Sequence, residues 1–80
     1  MEDELIVILN SMRDEYLRMR TINSTYVSPY EAYAHLQEAV EALWDETTMH
    51  YQTEATYRNN MLRAAMKVGA EAVAFMREVC

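Results

Sequence analysis

Ser28-Pro29-Tyr30-Glu31-Ala32-Tyr33-Ala34-His35-Leu36-Gln37-Glu38-Ala39-Val40-Glu41-Ala42-Leu43-Trp44-Asp45-Glu46 is the stretch that decides the fold. It opens with Ser at the N-cap, Pro at the first helical position and Glu at the third, a capping box with a proline whose fixed φ suits the first turn. Tyr33, Leu36, Val40 and Leu43 then recur at helical spacing and form the expected buried face, with Trp44 beside it. On a wheel of about 100° per residue, Val40 and Leu43 flank Leu36 while Glu31, Glu38, Glu41 and Asp45 gather on the opposite side. Ala39 and Ala42 lie at the edge of the apolar face. The helix is expected to fade near Thr47 and Thr48.

On the N-terminal side, Leu5, Leu9, Met12, Tyr16 and Met19 mark one face of a first helix over residues 2–20, widened by Ile6, Val7 and Ile8. Glu2, Asp3 and Glu4 at its start and Arg18 and Arg20 at its end suit the helix dipole. Thr21, Asn23, Ser24 and Thr25 then read as a polar connection of about seven residues, a length that suits two antiparallel helices. On the C-terminal side, residues 49–60 have no clear boundary, although Thr53 is a possible cap. A third helix is expected from Met61 to Glu78, with a stripe of Leu62, Ala65, Gly69, Ala72, Met76 and Val79. Its small residues, Gly69 above all, predict a close helix crossing. Met12, Met19, Met61, Met66 and Met76 fall on or beside apolar stripes and read as core filling.

Composition agrees with this outline. The chain has 80 residues, of which 51% are hydrophobic and 25% charged, with one Gly and one Pro, too few turn residues for hairpins or barrel corners. The expectation is a single helical domain over residues 1–80, and a core so limited by length predicts self-association. Seven Lys and Arg against 13 Asp and Glu give a formal net charge of −6, which argues against direct nucleic-acid binding because no basic face is present to release counterions. The lone Cys80 supports neither a disulfide framework nor a paired zinc site and fits the reducing cytoplasm. No run approaches the ~18 apolar residues of a membrane span, and Glu2, Asp3 and Glu4 carry the wrong charge for a signal peptide.

Glu38 and Glu41 are three apart on one helix, a spacing at which two carboxylates can share a hard divalent cation. Such a pair is also common on solvated helical faces. The run from Ser28 to Ala34, continuing through Leu36 and Glu38 to Leu43-Trp44-Asp45-Glu46, resembles the second helix of small MazG-like proteins, all-α relatives of nucleoside triphosphate pyrophosphohydrolases. Val68-Gly69-Ala70-Glu71-Ala72-Val73 with Phe75 is similar to their small-residue third helix. The resemblance covers about residues 28–79. It implies an oligomeric helical bundle, a homodimer or homotetramer, with a site between packed helices where an ExxE and an ExxD hold Mg²⁺ for water attack on a nucleoside triphosphate.

The chain departs from that pattern at the positions that matter. With the register anchored on Leu43-Trp44-Asp45-Glu46, the two glutamates of the family fall on Ala39 and Ala42. Anchored on Val68-Gly69-Ala70, the ExxD falls near Ala64 and Lys67. A methyl group and an ammonium cannot replace carboxylates around Mg²⁺. Glu71 shares the stripe of Ala64 one heptad later and is a possible single ligand, or else a surface carboxylate paired with Lys67. His35 shares a stripe with Ala39, Ala42 and Glu46, and reads as a partly buried structural residue or as part of a remodelled site with Glu46.

Three functions therefore stand open. The favoured one is a catalytically degenerate MazG-like scaffold or regulatory protein. The second is an active Mg²⁺-dependent pyrophosphohydrolase with Glu38, Glu41 and Glu71 as metal ligands. The third is an acidic adaptor that presents Glu31, Glu38, Glu41 and Asp45 to a basic protein, against the plainer reading of those residues as a solvated outer face.

Overall fold

Asp3, Ser28 and Thr53 each begin a helix by the same local device, a side-chain oxygen that accepts a backbone N–H of the first turn. The computed structural model describes residues 3–49 and 53–80 and contains α1 (Glu4–Ile22), α2 (Pro29–Thr48) and α3 (Glu54–Glu78), with no strand among the described residues. The capping box of α2 is altered. The Glu31 N–H donates to Ser28 Oγ at 3.1 Å, but the Glu31 carboxylate accepts from the N–H of Val27, one residue outside the usual partner.

Helix limits depart from expectation at two places. The first helix starts at Glu4 and continues past Arg20 to Ile22, because the Thr21 hydroxyl donates to the Arg18 carbonyl at 2.7 Å and so is satisfied inside the helix. The third begins at Glu54, not Met61. Its extra turns are held by a Glu54–Arg58 pair and by the Tyr57 hydroxyl, which donates to the Thr47 carbonyl at 2.6 Å across the connection. His50 and Tyr51 lie outside the described residues.

The expected antiparallel pairing of α1 with α2 is absent. Among the described residues α3 is the central element, packed by α2 and by α1, which do not pack on each other. The body measures 40 × 33 × 20 Å, so its thin dimension is about two helix diameters. Its radius of gyration of 13.7 Å exceeds the roughly 12 Å of a closely packed domain of this length.

This arrangement shifts the buried faces away from the bulkiest side chains. In α2 the fully packed residues are Ala32 and Ala39, with Leu36 and Leu43 half-buried, while Tyr33, Val40 and Trp44 are exposed. In α3 the buried set is Ala70, Glu71 and Ala74, and the expected stripe residues Leu62, Ala65 and Met76 face outward. The physical reason is proximity: two helices lie on α3, and small side chains let the backbones approach. Tyr16, Met19 and Tyr26 fill the remaining core, against which Val73, Phe75 and Val79 pack. Of the other methionines, Met12, Met61 and Met66 are half-buried and Met76 is exposed.

Gly69 is a crossing point, as its small size suggests, but with α1 of the same chain. A Cβ there would meet Met12 Cε at 2.5 Å and Sδ at 2.8 Å, so Met12 occupies the space that glycine leaves. Those atoms are the end of a flexible side chain and can move. Gly69→Ala is therefore expected to change unfolding free energy by less than about 1 kcal/mol, the helix-propensity gain offsetting the repacking of Met12. A loss of several kcal/mol in unfolding free energy, measured by urea titration, would show instead that Met12 is locked in place.

The first half of α1 is left bare. Every described residue from Asp3 to Ser11 is exposed, and Leu5, Ile6, Val7, Ile8 and Leu9 show 37 to 59% of their surface. No described helix is long and apolar enough to cross a membrane.

Candidate functional site

Because α2 and α3 meet through alanines, a cleft of about 560 Å³ opens along their junction. Ala39, Ala42, Ala64 and Lys67, the four positions that the family resemblance aligns with carboxylate ligands, all border it. His35, Glu38 and Glu46 join them from α2, and Asn60, Arg63 and Glu71 from α3. A smaller cavity of about 300 Å³ adjoins this cleft, and His35, Lys67 and Glu71 border both.

The three candidate metal ligands are placed differently from one another. Glu38 stands at the cleft, its carboxylate 3.7 Å from His35 Nδ1 and largely exposed. Glu41 is exposed and does not border the cleft. Glu71 is the surprise. Read as a surface partner of Lys67, it is instead 3% exposed, and its Oε1 accepts a hydrogen bond from the Tyr26 hydroxyl at 2.6 Å. It is buried because Tyr26 folds over it from the loop after α1. His35 has about half its side chain exposed, the other half being covered by Tyr26, on which its ring stacks with centroids 4.9 Å apart and planes 15° from parallel.

Tyr26 organises this end of the molecule. Its N–H donates to Glu78 at 2.9 Å, its ring lies beneath the Arg20 guanidinium at 4.6 Å, and its hydroxyl reaches Glu71. Burial, reinforced by the hydrogen bond to Glu71, pushes the Tyr26 phenol up to about 12. Glu78 is a second hub. It accepts from Arg20 Nε at 2.5 Å and Nη2 at 2.8 Å, and from the Tyr16 hydroxyl at 2.6 Å. The Arg20 hydrogen bonds, against the opposing effect of burial, hold the Glu78 carboxyl at about 2, and the same carboxylate raises the Tyr16 phenol above its ordinary value. Among the described residues Arg20 Nη1 has no hydrogen-bond acceptor, but the guanidinium carbon lies over both the Tyr16 and Tyr26 rings, whose negative faces supply a partial substitute.

Chemically, the cleft is mixed in charge, with three carboxylates from Glu38, Glu46 and Glu71 facing the cations of Arg63 and Lys67. Lys67 also acts toward α1, where its charge adds to the larger effect of Arg18 in lowering the Glu15 carboxyl. A Mg²⁺ ion takes oxygen ligands in near-octahedral geometry. Among the described residues no three of His, Cys, Asp and Glu come together in a metal-binding group, and Lys67 contributes an ammonium where a carboxylate would be needed. The donor set does not fit the ion. Glu31, Glu38, Glu41 and Asp45 are all exposed, and Glu31 is engaged in capping α2.

Sequence reasoning missed Tyr26 and Arg63. The only signal for Tyr26 was a large ring within an otherwise polar loop. For Arg63 it was a place four residues before Lys67 and seven before Ala70, on the inner side of α3. No family model, no curated protein and no solved structure matches the chain.

Proposed function

We propose that this chain is a non-catalytic, MazG-like helical protein that self-associates and serves as a scaffold or regulatory subunit. The observation that carries the reading is the cleft between α2 and α3. The four positions where the resembling enzymes hold carboxylates border one shared cleft and are occupied by Ala39, Ala42, Ala64 and Lys67. On this reading the cleft is the outline of a site without carboxylates at those four positions, and function has to be argued from the residues of a site, not from the fold. Support for self-association is the bare apolar half of α1 and the exposed Tyr33, Val40 and Trp44 of α2.

Calorimetric titration with Mg²⁺ or Mn²⁺, followed by an assay of pyrophosphate release from a panel of deoxynucleoside triphosphates, tests this. The expected result is no metal heat and no turnover at millimolar metal. Metal binding that disappears in Glu38→Ala with Glu71→Gln, accompanied by turnover, would establish the active pyrophosphohydrolase instead.

A further inference from the structure

Among the described residues, two parts of the surface concentrate exposed apolar side chains, while Leu17, Ile22, Val27, Met49, Leu62 and Met76 are exposed elsewhere. One is the N-terminal arm of α1, where Leu5, Ile8 and Leu9 continue the stripe of Met12 and Met19 while Ile6 and Val7 lie round the back, so the arm is apolar on every side. The other is the outer flank of α2, where Tyr30, Tyr33 and Trp44 are 88, 58 and 66% exposed beside Val40. A helix apolar all round is stable only when enclosed on more than one side. Pairing two arms with each other would cover one side of each and leave the aromatic flanks bare. The arm cannot cover its own flank, because α1 and α2 lie apart on α3.

We infer that two copies of this chain associate by reciprocal exchange, the α1 arm of each lying along the α2 flank of the other. This rests on the self-associating reading above and specifies its interface. A two-fold pair makes the same contact twice, so both bare surfaces are covered at once. At helical rise the eight residues of the arm from Glu4 to Ser11 span about 12 Å, so one arm lies along part of the flank, whose fifteen residues from Tyr30 to Trp44 span about 22 Å. The exposed areas are of the order an interface needs. With about 150–250 Å² for each aromatic side chain, the exposed parts of Tyr30, Tyr33 and Trp44 offer roughly 400 Å². The five aliphatic residues of the arm add roughly 250 Å² on the usual transfer scale. That total approaches the ~800 Å² that each partner contributes to a standard interface.

The test uses Ile6→Lys and Trp44→Glu, each at an outward position, with far-UV circular dichroism to check that the helices remain. Sedimentation of the natural chain at micromolar concentration should show a dimer or a multiple of one. Each variant alone should weaken association roughly 100-fold, since hot-spot losses are doubled by symmetry. A mixture of the two should dimerise again, because one contact then pairs Lys with Glu and the other pairs the native Ile6 with Trp44. If only Ile6→Lys dissociates the protein, the arms pair with each other. If only Trp44→Glu does, the flanks pair. If both do and mixing restores nothing, the contact is not reciprocal. Each of these three outcomes overturns the exchange but leaves self-association intact, whereas a monomeric natural chain overturns both.

Discussion

Glu78→Gln is expected to cost about 3–5 kcal/mol of unfolding free energy, the usual loss when one partner of a buried ion pair is removed. The side chains of Arg20 and Glu78 are only 12% and 5% exposed, so the guanidinium left behind is neither paired nor well hydrated. Tyr16 and the Tyr26 N–H lose an ionised acceptor at the same time. A domain of this size holds roughly 4–12 kcal/mol in all. The variant should therefore sit close to its unfolding transition at room temperature, readable as a fall in urea midpoint with little change in slope.

The same carboxylate gives the natural chain a pH signature. Its folded value of about 2 lies below the ordinary 4.5, so folding favours the ionised form. The stabilisation is complete above pH 4.5 and is lost as pH falls from there through 2. The shift corresponds to about 3 kcal/mol at neutral pH. Stability measured from pH 6 to 2 should decline steeply in the natural chain and much less in Glu78→Gln. Parallel profiles would show that another carboxylate governs acid unfolding.

Tyr26→Ala should be nearly as damaging, by about 3–5 kcal/mol, because it removes a core aromatic ring. The loss includes the stack on His35 and the ring face beneath Arg20, and it opens Glu71 to the two adjoining cavities. Tyr26→Phe isolates one component. It keeps both ring contacts and deprives the buried Glu71 carboxylate of the hydrogen bond from the Tyr26 hydroxyl, at a cost of about 1–3 kcal/mol. Thermal unfolding of the three proteins should rank natural chain, Phe, Ala. Equal losses for Phe and Ala would assign the whole effect to the hydroxyl, and a loss below about 1 kcal/mol for Ala would show that the loop does not hold the core.

Ser28 and Pro29 announced the start of α2, and Thr53 was a recognisable cap for α3, since capping involves atoms only two or three residues apart. Helix faces were legible only in part. The wheel ordered the residues of α2 correctly but centred the buried arc on Leu36 and its larger neighbours, whereas packing chose Ala32 and Ala39. Hydrophobicity reports which residues avoid water, and in a chain with bare outer surface this is a larger set than the residues that touch within one copy. That Ala39, Ala42, Ala64 and Lys67 face one inter-helix site was an expectation of the family resemblance, whereas Arg63 in the same cleft and Tyr26 in the cavity beside it were not foreseen.

The amino-acid sequence by itself determined three helices, their capping and the acidic exterior of α2, because each depends on neighbours within a turn or two of the chain. Only the tertiary structure decided that α3 is central, that Glu71 is buried and that the loop is pinned through Tyr26. Those outcomes depend on partners far apart in sequence, Tyr26 with Glu71 45 residues on and Arg20 with Glu78 58 residues on. No local period encodes such a meeting. It is settled by how closely alanine and glycine let three helices approach, and by which polar groups that approach removes from water.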